Sequence, residues 1–502
     1  MTAKVIILAA GVGSRLAPIS TAMPKSLTKV AGREIIEHQI AGYLAAGVQE
    51  KDITVVVGYM ADVMTDYFEK NHPRINVIGN AEYAVTNNMY SLYMALNSLE
   101  DSVPDVLFIN NADCVYDAEI ISGLLASQYE NAIGSEIGAH NDESMKISVD
   151  GSGKLINIAK TIGEADAHGL SIDLYKFSAD AVKKLHDIVK DYIEVQKDRN
   201  QWTEVSFPEL FKRVEVYPYD IKGGRWFEID NLEDLSRADK LFADFDITGK
   251  DALILDLDGT VYLGSNPITP AVDWINSNAG NYDFYYLTNN TSRTPADYVK
   301  KLSAVGIHAD EESIVTPLYA LSDYIRAQGL KSAYLLANKS VEVYLKAQHP
   351  DVAFDYDFEN NQAVILTYDD EINYEKFKNA CVLLNNKPVE YLATHNDKFC
   401  PSPEGGLPDA GAYIALIAAV TNKEPSLIFG KPDVRLVASL VMKYGADKLA
   451  VAGDRLYTDK LLADNAGIDF ICVLTGETSR YDVALADFEK YPAVVLWDLG
   501  EL

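Results

Sequence analysis

Cysteine is scarce in this chain: Cys114, Cys381, Cys400 and Cys472 are scattered over 502 residues. Their spacing suits neither a zinc site nor a disulfide framework, and so few thiols fit a reducing compartment, so a cytoplasmic protein is expected. No apolar run approaches the roughly 20 residues that span a bilayer, and membrane insertion is not expected. Met1 to Lys4 leads straight into a strand-like run without a basic leader, which argues against a signal peptide. Positive charge is in deficit: 44 Lys and Arg face 74 Asp and Glu, a formal net charge of −30. That balance disfavours non-specific binding to nucleic acid or to an anionic membrane. Low-complexity linkers and short repeats are missing as well.

What is present is alternation. Lys4–Ala10, Ile53–Val57, Ile75–Ile78 and Val106–Ile109 read as buried strands, with Glu34–Ala46 and Ala61–Asn71 as helices between them. A charged helical stretch near Arg237–Lys250 precedes a restart. Ala252–Leu255, Asp283–Leu287, Ser332–Leu336, Ala363–Leu366, Leu427–Phe429, Leu449–Ala452 and Asp469–Leu474 are again strand-like. The expected fold class is α/β in both halves, with mainly parallel, wound sheets. A chain of this length calls for two or three domains, and the restart of the pattern divides it into residues 1–245 and 246–502.

The first strand runs into Leu8-Ala9-Ala10-Gly11-Val12-Gly13-Ser14-Arg15-Leu16, followed by Pro24-Lys25. Gly11 and Gly13 permit a tight turn, and the backbone N–H groups from Ala10 to Ser14 face a polyphosphate. Arg15 and Lys25 supply the opposing charge. A lone Gly-x-Gly after a strand is more often structural, whereas the full string is much more specific.

These residues resemble the sugar-phosphate nucleotidyltransferase superfamily. Thr86-Asn87-Asn88-Met89-Tyr90-Ser91-Leu92-Tyr93 and Trp226-Phe227-Glu228-Ile229-Asp230-Asn231 are similar, more narrowly, to LicC-type choline-phosphate cytidylyltransferases. The resemblance implies a Rossmann-like, GT-A-like domain with Asp113 and Asp230 as Mg²⁺ ligands, Lys160 on the acceptor phosphate and Asn88 among the nucleotide contacts. The family's usual Gly-Asp is Ala112-Asp113 here, a small change. It further implies transfer of CMP from CTP, or of another nucleotide, to a small phospho-alcohol. Phosphocholine, phosphoethanolamine, 2-aminoethylphosphonate and glycerol phosphate all remain open, and a hexose 1-phosphate is the alternative acceptor class. Trp202, Trp226, Tyr90 and Tyr175 are candidate faces for a quaternary ammonium, although spacing alone selects none of them.

In the second half Asp256-Leu257-Asp258-Gly259-Thr260 follows an apolar strand. Leu287-Thr288-Asn289-Asn290, Gly430-Lys431-Pro432 and Gly453-Asp454-Arg455-Leu456-Tyr457-Thr458-Asp459 come after it in order. The set resembles the haloacid dehalogenase superfamily, in particular NagD-like phosphatases with a C2-type α/β cap, here about residues 295–425. The resemblance implies Asp256 as nucleophile, Asp258 as acid and base, and Lys431 as the positioning cation. Thr288 and Asn289 would bind phosphate. Mg²⁺ would lie on Asp256, Asp258 and Asp454, with Asp459 behind them. His395, in Thr394-His395-Asn396-Asp397, is expected to be polar surface.

The expectation is therefore a bifunctional enzyme, a Mg²⁺-dependent nucleotidyltransferase joined to a phosphomonoesterase. A non-catalytic role for one half is the reading from a different class. Homo-oligomerisation is left open.

Overall fold

The computed structural model describes residues 2–99, 102–400 and 405–502. The chain divides into two compact units, Met1–Ala243 with Ala484–Asp487, and Asp244–Val483 with Phe488–Leu502.

The first unit is built on one mixed, nine-stranded sheet. Its strands are β1 (Ala3–Ala9), β2 (Ile53–Val57), β3 (Asn76–Gly79), β4 (Val106–Asn111), β6 (Ala132–Ile137), β7 (Lys146–Val149), β8 (Leu155–Ala159), β9 (Gly169–Ser178) and β10 (Tyr217–Asp220). A separate ribbon pairs β5 (Cys114–Tyr116) with β11 (Trp226–Glu228). The order is β8-β7-β9-β4-β1-β2-β3, with β6 pairing β9 and β10. Strands β1 to β4 are mutually parallel, and the apolar stretches of β1, β2 and β4 are buried as suits parallel strands covered on both faces, while β3 is the edge strand. Strand β9 pairs antiparallel with β4, β6 and β7, and β7 with β8, whereas β10 returns parallel to β6, so the expected mainly parallel sheet is mixed on this side. Two apolar cores, one around Ile6, Leu92 and Phe177 and one around Val5, Ile40 and Phe108, sandwich the sheet.

The second unit has a six-stranded parallel sheet. It comprises β12 (Ala252–Asp256), β13 (Asp283–Leu287), β14 (Ile314–Val315), β19 (Leu449–Gly453), β20 (Asp469–Val473) and β21 (Val494–Leu496), ordered β14-β13-β12-β19-β20-β21. A four-stranded parallel sheet, β15 (Ala333–Leu336), β16 (Ala363–Leu366), β17 (Glu390–Ala393) and β18 (Leu427–Ile428), forms the insert. The insert is therefore shorter at its start than expected. Residues Pro295–Ala304 form the helix that crosses from β13 to β14, and β14 extends the core sheet. At its end the insert's sheet runs past residue 425, because Leu427 and Ile428 pair with β17. Among the described residues no helix is long and apolar enough to cross a membrane.

Candidate functional sites

Strands β1 and β4 end side by side, and the turn after β1 folds over the sheet's C-terminal edge. Gly13 has φ +63°, and a Cβ there would lie 2.9 Å from Lys25 Cβ. Glycine at 13 thus serves two purposes, a left-handed turn and close passage of Lys25. Gly11 has neither constraint, and open space surrounds it.

Asp113 and Asp230, 117 positions apart, meet because β5 and β11 pair with Cys114 opposite Glu228, and Ile229 N–H donates to the Asp113 carbonyl. A capping box between Asn231 and Asp234 starts the next helix, and Asp234 also accepts from Asp230 N–H at 3.1 Å, which fixes Asp230 at the helix mouth. Glu228 joins them, so that one carboxylate oxygen from each of the three lies within 4.8 Å of the others. Sequence reasoning missed Glu228. Its signal was the two-residue step to Asp230, which puts both side chains on one side of an extended segment.

Lys25 Nζ stands between Asp113 Oδ2 (2.9 Å) and Asp230 Oδ1 (3.2 Å), and Arg15 Nη2 reaches the same Asp230 oxygen at 2.8 Å. Burial works against the Lys25 ammonium, but the two carboxylates outweigh it and its pKa is raised. Burial, then Asp173, Asp113 and Asp230, push Glu228 up to about 9. A divalent cation would relieve this crowding of oxygens, so the donor set fits one.

These residues line a cavity of about 370 Å³ that also holds Lys160, Asp173, Trp202 and Glu204. Of the four aromatic candidates only Trp202 lines it. Trp226 donates its indole N–H to Glu136 at 2.8 Å, Tyr90 donates to Glu82 beneath Arg199, and Tyr175 is buried below the cavity floor. Lys160 Nζ lies 5.5 Å from the Trp202 ring centre. Asn88 lines the cavity, its Oδ1 accepting from Thr203 N–H (2.8 Å) and its Nδ2 donating to Asn111 Oδ1 (3.3 Å). Asp173, also missed, has φ +56° where β9 slips register between Ser171 and Tyr175. Such a conformation in an aspartate persists where its surroundings hold it. The signal was a lone carboxylate inside the largely apolar strand segment Leu170–Phe177, which also holds Ser171 and Lys176.

In the second unit Asp256 ends β12, Thr288 and Asn289 follow β13, and Asp454 follows β19. Lys431 comes just after β18, the last strand of the insert. Lys431 Nζ contacts both Asp256 and Asp459, the latter at 2.5 Å, and its backbone N–H donates to Asn289 Oδ1 at 2.7 Å. Asn289 donates in turn to Asp397 (3.2 Å), which also meets Arg455 (3.4 Å). Burial raises the Asp256 carboxyl although Lys431 opposes it. Burial opposes the Lys431 ammonium, which Asp256 and Asp459 nevertheless raise.

Asp256, Asp454 and Asp459 form the acidic cluster. The Asp454 Oδ1 atom is buried with no hydrogen-bond partner. A Cβ on Gly259 or Gly476 would fall within 2.5 Å of the Asp454 carboxylate, so these glycines make room for it. An orphaned oxygen in such a cradle fits a cation. The Asp258 carboxylate lies outside the cluster, 3.7 Å from Lys301 Nζ, which itself sits 3.7 Å from the Tyr262 ring centre. Burial raises the Asp258 carboxyl, as suits a proton donor. His395, expected at the polar surface, is instead fully buried and pairs at 2.8 Å with Asp409, which lines the small cavity of about 30 Å³ that holds Asp256, Asp258, Thr288 and Asn289.

Residues 253–350 match the haloacid dehalogenase-like hydrolase family, 428–502 the HAD-hydrolase-like family, and 5–144 the MobA-like NTP transferase domain. An acid sugar phosphatase of Staphylococcus aureus (strain MRSA252) is 31% identical over 236 residues, which cover 46% of this chain and 89% of the relative. The second half of the chain belongs to the haloacid dehalogenase-like hydrolases. The acid sugar phosphatase of Staphylococcus epidermidis (strain ATCC 35984) is 30% identical over 238 residues, 46% of this chain and 89% of its own. The crystal structure of a 4-nitrophenylphosphatase from Thermotoga maritima shares 36% identity, covers 51% of this chain and 97% of that one, and has a TM-score of 0.47. The protein is an enzyme with a nucleotidyltransferase domain and a phosphatase domain of the haloacid dehalogenase type.

Proposed function

We propose that the first domain transfers a cytidylyl group from CTP to a small phosphorylated alcohol of the phosphocholine kind and releases pyrophosphate. The second domain hydrolyses a phosphomonoester through an aspartyl-phosphate. The observation that carries the first reading is the composition of one cavity: glycine turn and cations, metal-capable carboxylates, then Lys160 beside Trp202.

Arg15 and Lys25 bind triphosphate oxygens once they leave Asp230 and Asp113. Lys160 holds the acceptor phosphate, one oxygen of which attacks the α-phosphorus as the bond to pyrophosphate breaks. Trp202 offers its face to a cationic head group. Mg²⁺ on Asp113, Glu228 and Asp230 would neutralise charge on the α-phosphate and the leaving group.

In the second domain Asp256 attacks phosphorus while Asp258 gives its proton to the leaving alcohol. Asp258 then takes a proton from the water that opens the aspartyl-phosphate. Lys431 holds the nucleophile in line, and Thr288 and Asn289 line the phosphate position. Mg²⁺ on Asp256 and Asp454 would offset repulsion between carboxylate and phosphate. The name of the Staphylococcus relatives, acid sugar phosphatase, supports a phosphorylated sugar as substrate.

The test is a screen of pyrophosphate release with CTP, UTP, dTTP and GTP against phosphorylated alcohols and hexose 1-phosphates. CTP with an amine-bearing phospho-alcohol is the expected best pair. A preference for UTP with a hexose 1-phosphate would contradict the reading.

A further inference from the structure

The floor of the transferase cavity is closed by a ring of hydrogen bonds. Thr203 N–H donates to Asn88 Oδ1 (2.8 Å), Asn88 to Asn111 Oδ1 (3.3 Å), and Asn111 to Asp173 Oδ2 (2.8 Å). The Tyr175 hydroxyl then lies 3.0 Å from Asp173 Oδ1 and 2.9 Å from Glu204 Oε1, and Glu204 follows Thr203 in the chain. All of these side chains but Tyr175 reach the cavity or flank a residue that does.

The ring is one hydrogen short. A neutral phenol has a single hydrogen, and burial keeps the Tyr175 phenol neutral. It cannot donate to two ionised carboxylates together. If both were charged, one of the two short O···O contacts would set lone pair against lone pair. One carboxyl therefore keeps a proton and donates it to the phenol oxygen. No lysine or arginine among the described residues lies within ion-pair distance of either carboxyl.

The charged and titratable groups around the pair come from every neighbouring element. They are Asp113, Cys114 and Tyr116 from the β4–β5 segment, Glu228 and Asp230 from the β11 segment, Lys160 after β8, and Lys25. Burial leads the causes that push Asp173 up to about 6 and Glu204 up to about 7, in agreement with the hydrogen count.

We propose that Asp173 and Glu204, joined through the Tyr175 hydroxyl, read the far end of the acceptor and take up a cationic group there in exchange for the proton they share. The inference rests on the acceptor reading above. A cation beside the pair favours the doubly ionised form: the Tyr175 hydrogen then serves one carboxylate, the acceptor's positive group serves the other, and the displaced proton leaves to solvent. A neutral hydroxyl at the same place has no charge with which to expel it.

The experiment is calorimetric titration of the full-length protein with phosphocholine and with glycerol 3-phosphate, each in buffers of different ionisation enthalpy near neutral pH. Both ligands carry a phosphate monoester, and the change in their proton-release difference between wild type and Glu204→Gln cancels the ionisation of the two phosphates and isolates the head end. The expected result is a release larger by up to about one proton for phosphocholine in wild type. That difference disappears in Glu204→Gln, with phosphocholine bound about 10-fold more weakly and CTP bound as before. Asp173→Asn is the second variant if the first does not fold. Equal release for the two ligands in wild type, or a difference that survives both substitutions, overturns the proton exchange. Pyrophosphate release separates the two claims: phosphocholine accepted as substrate without extra proton release sinks the exchange alone, whereas its failure to bind or react sinks both.

Discussion

Both sites hold a lysine between two carboxylates, and they use it differently. Lys25 bridges Asp113 and Asp230 at the edge of a cavity of about 370 Å³, and its side chain is 12% exposed. Lys431 bridges Asp256 and Asp459 with 2% exposure, beside a space of about 30 Å³. Lys25 occupies ground between carboxylates that also suit a divalent cation, so it acts as a counter-ion that can be released to phosphate. Lys431 is a fixed wall, tied through its backbone as well, and the free oxygen for a cation is left on Asp454 instead.

The sharpest way to break this contrast is to remove each lysine. Lys431→Met leaves Asp256 and Asp459 buried without a partner. It should abolish phosphate release and cost about 3–5 kcal/mol in denaturant unfolding. Lys25→Met should abolish nucleotidyl transfer yet cost no more than about 1–3 kcal/mol, because solvent reaches the site. A larger stability loss for Lys25→Met would reverse the comparison.

Glu228→Gln comes next. Mn²⁺ titration of the first site should weaken by about 10–100-fold, at least the effect of an outer-shell partner, while phosphate release holds. Unchanged Mn²⁺ binding would remove Glu228 from the cation site.

Acidity gives a smaller effect with a definite sign. Asp173 and Glu204 are raised from 3.8 and 4.5 to about 6 and about 7 in the fold. Between those limits the folded state binds more protons than the unfolded state, so stability of the first unit is greater on the acid side and falls as pH rises. Glu204→Gln should flatten the slope seen in unfolding curves across that window, and an unaltered slope would show that other groups set it. Smallest of all, Trp202→Ala should raise the acceptor KM about 10-fold and leave the CTP KM unchanged.

Much of this architecture was legible in the chain. Runs such as Ala252–Leu255, apolar throughout, and Ile53–Val57, broken only by Thr54, suit parallel strands covered on both faces and mark their ends closely. The glycine turn and the Asp-x-Asp segment were legible because catalytic strings keep their order. Antiparallel β9 was not, since pairing partners lie far apart in sequence and strand direction leaves no local trace. Asp173 and Glu204 escaped for a related reason: each gains meaning only when Tyr175 is folded between them. His395 misled because its partner Asp409 is 14 positions away, and burial of a loop histidine depends on that pairing.

That one polypeptide carries two separate catalytic centres is tested by measuring pyrophosphate release and phosphate release in parallel on wild type, Asp113→Ala and Asp256→Asn. Asp113→Ala should lose only the first activity and Asp256→Asn only the second. Loss of both activities from either substitution, with the fold intact by circular dichroism, would contradict it.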